Sequence, residues 1–187
     1  MDLKEYFDMF NEALNQCISD EKNQNGLLRS VDMIKQTRDN KKKVILVGNG
    51  GSAAIAEHMA IDLTKNAGLR AIAISGTPQL TTFANDYGYE NLYSKAIESF
   101  ADDGDILIAI SSGGTSPNIL NAVDAAKRVG CSVITFSGFK KNNPLRQKGD
   151  VNIYLASKAY GYVEIIHNLL IHYINDQIIG KVVYKFR

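Results

Sequence analysis

Val44-Ile-Leu-Val-Gly-Asn-Gly-Gly-Ser-Ala-Ala54 reads as a buried strand running directly into a glycine turn and then into a helix. Four successive aliphatic residues suit a strand covered on both faces. The glycines allow the backbone to approach a ligand closely, and the free N–H groups of a helix start favour an anion. The turn does not follow the spacing of a GxGxxG dinucleotide fingerprint and lacks the lysine of a P-loop.

Working outward, the same grammar repeats. Apolar, largely β-branched runs fall at 44–47, 71–74, 106–110, 133–136 and 151–155, and helical stretches at 53–66, 90–100, 117–129 and, briefly, 144–147 separate them. Strands alternating with helices predict an α/β fold: a three-layer, doubly wound, five-stranded parallel sheet. Ahead of it, spacings of three and four predict amphipathic helices over 3–20 and 27–37. Behind it, one long helix is predicted from Tyr160 to Ile179, with Gly180 as its stop. The expected organisation is a single domain, 1–187, with residues 1–40 as a helical extension for oligomerisation and 41–187 as the core.

A second loop follows the third predicted strand, Ile110-Ser-Ser-Gly-Gly-Thr-Ser-Pro-Asn118. Pro117 suits a first helical turn and Ser116 its N-cap. Hydroxyls together with unpaired N–H groups form a phosphate cradle without a cationic side chain. Both loops are expected at the carboxyl ends of parallel strands, where open α/β sheets bind ligands. A small phosphorylated ligand fits both.

Composition narrows the setting. With 21 basic and 20 acidic residues the formal charge is +1, without the basic excess of a nucleic-acid-binding domain. Cys17 and Cys131, the only cysteines, match neither a disulfide framework nor a zinc motif. No stretch approaches the ~18 uninterrupted apolar residues of a membrane helix, and a cytoplasmic location is expected. Lys41 to Lys43 reads as a solvated basic turn, and the apolar, basic tail 182–187 as packing on a neighbouring subunit.

Gly48-Asn-Gly-Gly-Ser-Ala-Ala54 followed by His58, then Asn85-Asp-Tyr-Gly-Tyr89, then Ser111-Ser-Gly-Gly-Thr-Ser-Pro-Asn118, resembles the bacterial phosphoheptose isomerases of the sugar isomerase (SIS) family. The likeness spans nearly the whole chain. It implies the SIS fold, a homotetramer with active sites between subunits, and interconversion of sedoheptulose 7-phosphate and D-glycero-D-manno-heptose 7-phosphate. It also implies a zinc ion. By the resemblance Ser111, Ser112, Gly113 and Ser116 hold the phosphate. Asn49, Gly50, Gly51, Ser52 and Asp86 contact the sugar. His58, Asp62, Glu164 and His172 hold the metal. Asp62 and His172 form the acid/base pair, with Glu164 as ligand or replacement base. His167, on another side of the last helix, is expected to be structural.

The chain departs from the family pattern at four positions. Asp62 stands where the family has Glu, Glu164 where it has Gln, Tyr162 where it has Arg, and Gly113 where it has a third Ser. Glu164 and His172 would lie ~12 Å apart along one helix, so they meet at one ion only by leaning together or across a subunit boundary. A non-catalytic phosphosugar-binding or scaffold protein of the same family, or an isomerase of another ketose phosphate, is the competing expectation.

Overall fold

β1 (Lys43–Gly48) and β3 (Ile106–Ser111) are buried along their whole length and lie side by side, Val44 opposite Ile106 and Gly48 opposite Ile110. In this computed structural model, which describes residues 1–183, they form the centre of an all-parallel five-stranded sheet. β2 (Arg70–Ala73) flanks β1, while β4 (Ser132–Ser137) and β5 (Val151–Tyr154) extend beyond β3, giving the order β2-β1-β3-β4-β5. Strand order reverses between β1 and β3. The loops leaving those two strands therefore diverge at the switch point, where a crevice opens.

Alternate side chains of each strand feed opposite layers, as the two-residue period requires. Val44, Leu46, Ile106, Ile108, Ile110, Ile134 and Phe136 pack under α1 (Leu3–Ser19), α2 (Glu21–Asp39), α3 (Gly51–Lys65) and α7 (Tyr160–Ile179). Ile45, Val47, Leu107, Ala109 and Val133 pack under α5 (Leu92–Phe100) and α6 (Pro117–Val129) on the other face. The three layers expected from the sequence are present.

Three differences from the sequence reading have local causes. α2 begins six residues before Leu27, because the Asp20 carboxylate accepts from the N–H groups of Lys22 and Asn23 and starts the helix there. α4 (Thr77–Tyr87) has no fully buried residue, so its apolar spacing is too weak to announce it. Lys43 does not belong to a solvated turn. Its stem is buried and its ammonium pairs with Asp102 at 2.5 Å and Asp105 at 2.6 Å, while its N–H donates to the other Asp105 oxygen. The long apolar stem of lysine permits this burial once the charge is paired.

Cys17 and Cys131 are both buried and free, and burial pushes each thiol up to about 11, so neither is a thiolate near neutral pH. Val182 and Val183 are exposed; the rest of the tail expected to pack on a neighbour lies outside the described residues.

Candidate active site

The two loops meet where the sheet order reverses. Asn49, Ser52, Ser111, Ser112, Gly113, Thr115, Ser116, Tyr160 and Glu164 line a cleft of about 110 Å³ between them. Ser116 occupies the N-cap position of α6, yet its hydroxyl makes no cap hydrogen bond. It lies 3.4 Å from the Ser111 hydroxyl instead. The Ser112 hydroxyl is buried and has no hydrogen-bond partner among the described residues. An unsatisfied buried hydroxyl is costly unless a ligand or water completes it. Ser116 at the start of a 13-residue helix, with Ser111 and Ser112 where β3 ends, gives three hydroxyls arranged to receive an anion.

The first loop is held from two sides. Tyr93 on α5, whose phenol burial pushes up to about 12, donates to the Gly48 carbonyl. Asn118 on α6 exchanges two hydrogen bonds with Asn49. Asn49 Nδ2 donates to Asn118 Oδ1 at 3.0 Å, and Asn118 Nδ2 donates to Asn49 Oδ1 at 2.9 Å. Tyr89 also donates to Asn49 Oδ1, at 3.2 Å.

Sequence reasoning quoted Asn118 and Tyr89 inside their motifs without giving either a role. A polar residue two places into a helix, just after a serine loop, is the signal that was there to be used. Asn118 is almost fully buried, so Asn118→Ala strands the Asn49 amide and costs about 1–3 kcal/mol. The expected kinetic result is a KM raised roughly tenfold with a smaller change in kcat. Asn118→Asp, which keeps the acceptor for Asn49 Nδ2 and the Ile119 N–H, falls between.

A second polar group lies where α3 packs against α7. His58, Asp62 and His172 place their ligand atoms within 4.8 Å of one another. Asp62 Oδ2 is 3.5 Å from His58 Nε2 and 3.8 Å from His172 Nδ1, and the two imidazoles meet edge to face at 5.0 Å. Zinc with bonds of about 2.0–2.1 Å needs ligand atoms about 3.3 Å apart in a tetrahedron. The two distances to Asp62 are close to that spacing and the third pair lies within 4.8 Å. The trio thus has the right chemistry for such an ion and would need a small inward shift to hold it, with one position left open.

Glu164 is not part of this trio. It sits two turns earlier on α7, in the serine cleft, where its carboxylate fills the space over Gly51; a Cβ on Gly51 would come within 2.6 Å of it. Glycine is required at Gly51 for that approach. Gly50 carries the positive φ of the turn, +54°. Asp86 is exposed near the end of α4 and accepts from Asn85; it does not line the cleft. The predicted site residues therefore fall into three places: the cradle with Glu164, the His58–Asp62–His172 trio, and Asp86 outside both.

A family model described as SIS domain matches residues 5–138. The phosphoheptose isomerase of Campylobacter concisus is 37% identical over 168 residues, covering 86% of this chain and 88% of that protein. That of Helicobacter pylori strain P12 is 34% identical over 171 residues, covering 88% of each. The chain belongs to the phosphoheptose isomerases of the SIS family. The structure of a phosphoheptose isomerase from Neisseria gonorrhoeae superimposes with a TM-score of 0.87 at 28% identity, covering 94% of this chain and 97% of that one. One from Francisella tularensis gives 0.87 at 25% identity, covering 96% and 97%.

Of the departures from the phosphoheptose isomerase pattern, Tyr162 has a structural explanation and Gly113 has none. Tyr162 is buried, its hydroxyl donates to the Tyr6 carbonyl at 2.9 Å, and its ring meets Tyr6 and Phe10 edge to face. It pins α1 to α7 rather than facing a ligand. At Gly113 a Cβ would find its nearest neighbour at 3.7 Å, so the missing serine reflects no steric demand.

His167 is fully buried behind β4. Its Nε2–H donates to the Ser137 carbonyl at 3.3 Å, and Nδ1 has no partner among the described residues. Burial lowers its pKa to about 4, the Ser137 contact acting weakly the other way. In the unfolded chain the imidazole titrates near about 6.5. Between those values the unfolded state binds the extra proton, so stability is complete above about pH 6.5 and falls as pH drops toward 4. The loss approaches roughly 3 kcal/mol. Thermal unfolding across that range is expected to show it, and His167→Phe to flatten the dependence.

Proposed function

We propose that this chain interconverts sedoheptulose 7-phosphate and D-glycero-D-manno-heptose 7-phosphate through an enediol. The observation that carries the reading is the polar trio of His58, Asp62 and His172 on α3 and α7, the two helices that also bring Ser52 and Glu164 into the serine cleft; a mere phosphosugar-binding body would need only the cradle. Ser111, Ser112 and Ser116, with the N–H groups around Gly113, hold the phosphate. Asn49, Gly50, Gly51 and Ser52 form the wall along which the sugar lies, and Asp86, outside the cleft, is not assigned to it.

Asp62 and His172 act as the acid/base pair. One takes the proton from C1 of the ketose and returns it to C2; the other moves the hydroxyl proton from O1 to O2. Such positioned groups contribute about 10²–10⁴-fold each. The remote phosphate fixes the reacting carbons against them. Glu164, which lines the serine cleft apart from the trio, serves there as a replacement base and not as a ligand of the ion. A zinc ion held by His58, Asp62 and His172 would polarise the carbonyl as a Lewis acid.

The assembly reading is a homotetramer with active sites between subunits, in which residues 1–40 are the oligomerising extension of the 41–187 core. Supporting it, Ile165, Leu169 and Tyr173 form an exposed stripe at every fourth residue of α7, and Leu3 and Phe7 are exposed on α1. Contiguous apolar surface of this kind marks an interface. Among the described residues no helix is long and apolar enough to cross a membrane; a phosphorylated sugar substrate supports a cytoplasmic setting.

Two measurements test the proposal. In D2O, solvent deuterium is expected at C1 of recovered ketose and C2 of the aldose, because the base exchanges part of its proton with solvent before returning it. Incorporation that Asp62→Asn and His172→Ala leave undiminished would remove both side chains from the proton transfer. Equilibrium dialysis is expected to show one zinc per chain, with His58→Ala weakening binding at least tenfold. Undiminished binding in that variant would remove the trio as the metal site.

A further inference from the structure

A groove of about 440 Å³ lies beyond β5, lined by Lys22, Asn23, Lys141, Arg146, Gln147 and Asn152. It shares no lining residue with the serine cleft. Its size falls in the range of small-molecule sites. Three of its six residues are cations, and none of them has a carboxylate within 4.0 Å among the described residues. Of the two acids that precede Lys22, Asp20 spends a carboxylate oxygen on the N–H groups of Lys22 and Asn23, and Glu21 is exposed and lies within 4.0 Å of no cation among the described residues.

The groove is also built. The Arg146 guanidinium lies 3.9 Å over the Tyr154 ring and donates to the Lys141 carbonyl at 2.8 Å, which fixes both its plane and the loop that carries Lys141. The Arg146 N–H donates to Asn143 Oδ1. Asn23 and Asn152 form a floor whose amides are already engaged: Asn23 bridges Cys17 and Tyr154, and Asn152 bridges Thr135 and Gly149. The groups left to meet a ligand are thus the two ammonium groups, the outer edge and face of a held guanidinium, and Gln147. A preorganised arginine beside mobile lysines is the donor set that recognises phosphate oxygens.

We propose that this groove is a second anion site that takes a small molecule bearing a diphosphate or at least two phosphate charges. Three unneutralised cations match that charge, and a single phosphate monoester would leave one of them unused. The site differs in chemistry from the serine cleft, which binds through hydroxyls and N–H groups and contains no cation.

Calorimetric titration of the intact protein with inorganic pyrophosphate tests it. Lys22→Glu/Lys141→Glu changes exposed side chains only, and circular dichroism checks its fold. The expected result is a binding event that this double variant weakens at least tenfold and that Ser112→Ala/Ser116→Ala leaves unchanged. Raising salt from 50 to 300 mM should weaken it several-fold. Pyrophosphate binding that the serine variant abolishes and the double lysine variant retains would overturn the proposal, as would the absence of binding in the wild type. Failure of the serine cradle alone would leave the groove event intact, so the two readings separate.

Discussion

His172→Ala is expected to lower kcat at least about 100-fold while leaving KM within a few-fold. His172 stands at the junction of α3 and α7, 3.8 Å from Asp62 Oδ2, about a third exposed. That placement makes it reachable by substrate, unlike the fully buried His167. With the phosphate held by the serine loop, as proposed, ground-state binding is expected to survive the loss. Asp62→Asn, which keeps shape and removes charge, should fall by a similar factor. The double variant should be scarcely worse than either single one, because residues acting as a unit lose their effect together. Steady-state kinetics with the phosphosugar checks all three. A fall well below 100-fold in both single variants would remove the pair from the chemistry.

Gly114→Ala is expected to damage the cradle itself. Gly114 has φ +64°, and an added Cβ would lie 2.1 Å from Asn143 Oδ1. Asn143 has little room to yield. It is almost fully buried, its Nδ2 donates to Ser137 Oγ and to the carbonyls of Gly138 and Lys140, and its Oδ1 accepts from Arg146. Left-handed strain and overpacking together cost roughly 2–4 kcal/mol. Since the Gly114 carbonyl also accepts from the Leu145 N–H, relief of the clash must move the serine loop. Both a lower unfolding midpoint and a KM raised more than tenfold are expected. Gly113→Ser, one residue away with its nearest neighbour at 3.7 Å, should be near neutral on both counts, which makes it the internal control.

The contrast between these neighbouring glycines shows what a sequence carries and what it withholds. Strand positions and both loops were legible because each announces itself locally: aliphatic runs of four or five, then glycine and serine, then a helix-starting residue. Strand order was not legible: alternation of strands and helices predicts a parallel sheet but leaves several orders open, and the crevice between β1 and β3 follows only from the observed order β2-β1-β3-β4-β5.

Which glycine is essential was not legible, because the obstacle, Asn143, arrives from a segment thirty residues away. The same holds for Glu164. Spacing placed it on the same helix as His172, but only the packing of α7 over Gly51 shows that it faces the cradle while His172 faces Asp62. Lys43 was misread because a run of lysines looks solvated until Asp102 and Asp105 come from another strand's lead-in to receive one of them. Asp86 came from its motif alone, and a motif does not say which way an exposed carboxylate points.

The most direct test of the account is turnover itself. Zinc-loaded protein is incubated with sedoheptulose 7-phosphate, and aldose formation is followed by NMR, with the His172→Ala protein alongside. The account predicts accumulation of the heptose 7-phosphate by the unaltered protein and at least a 100-fold slower reaction in the variant. Tight binding of the ketose with no aldose formed, or equal rates in the two proteins, would contradict it.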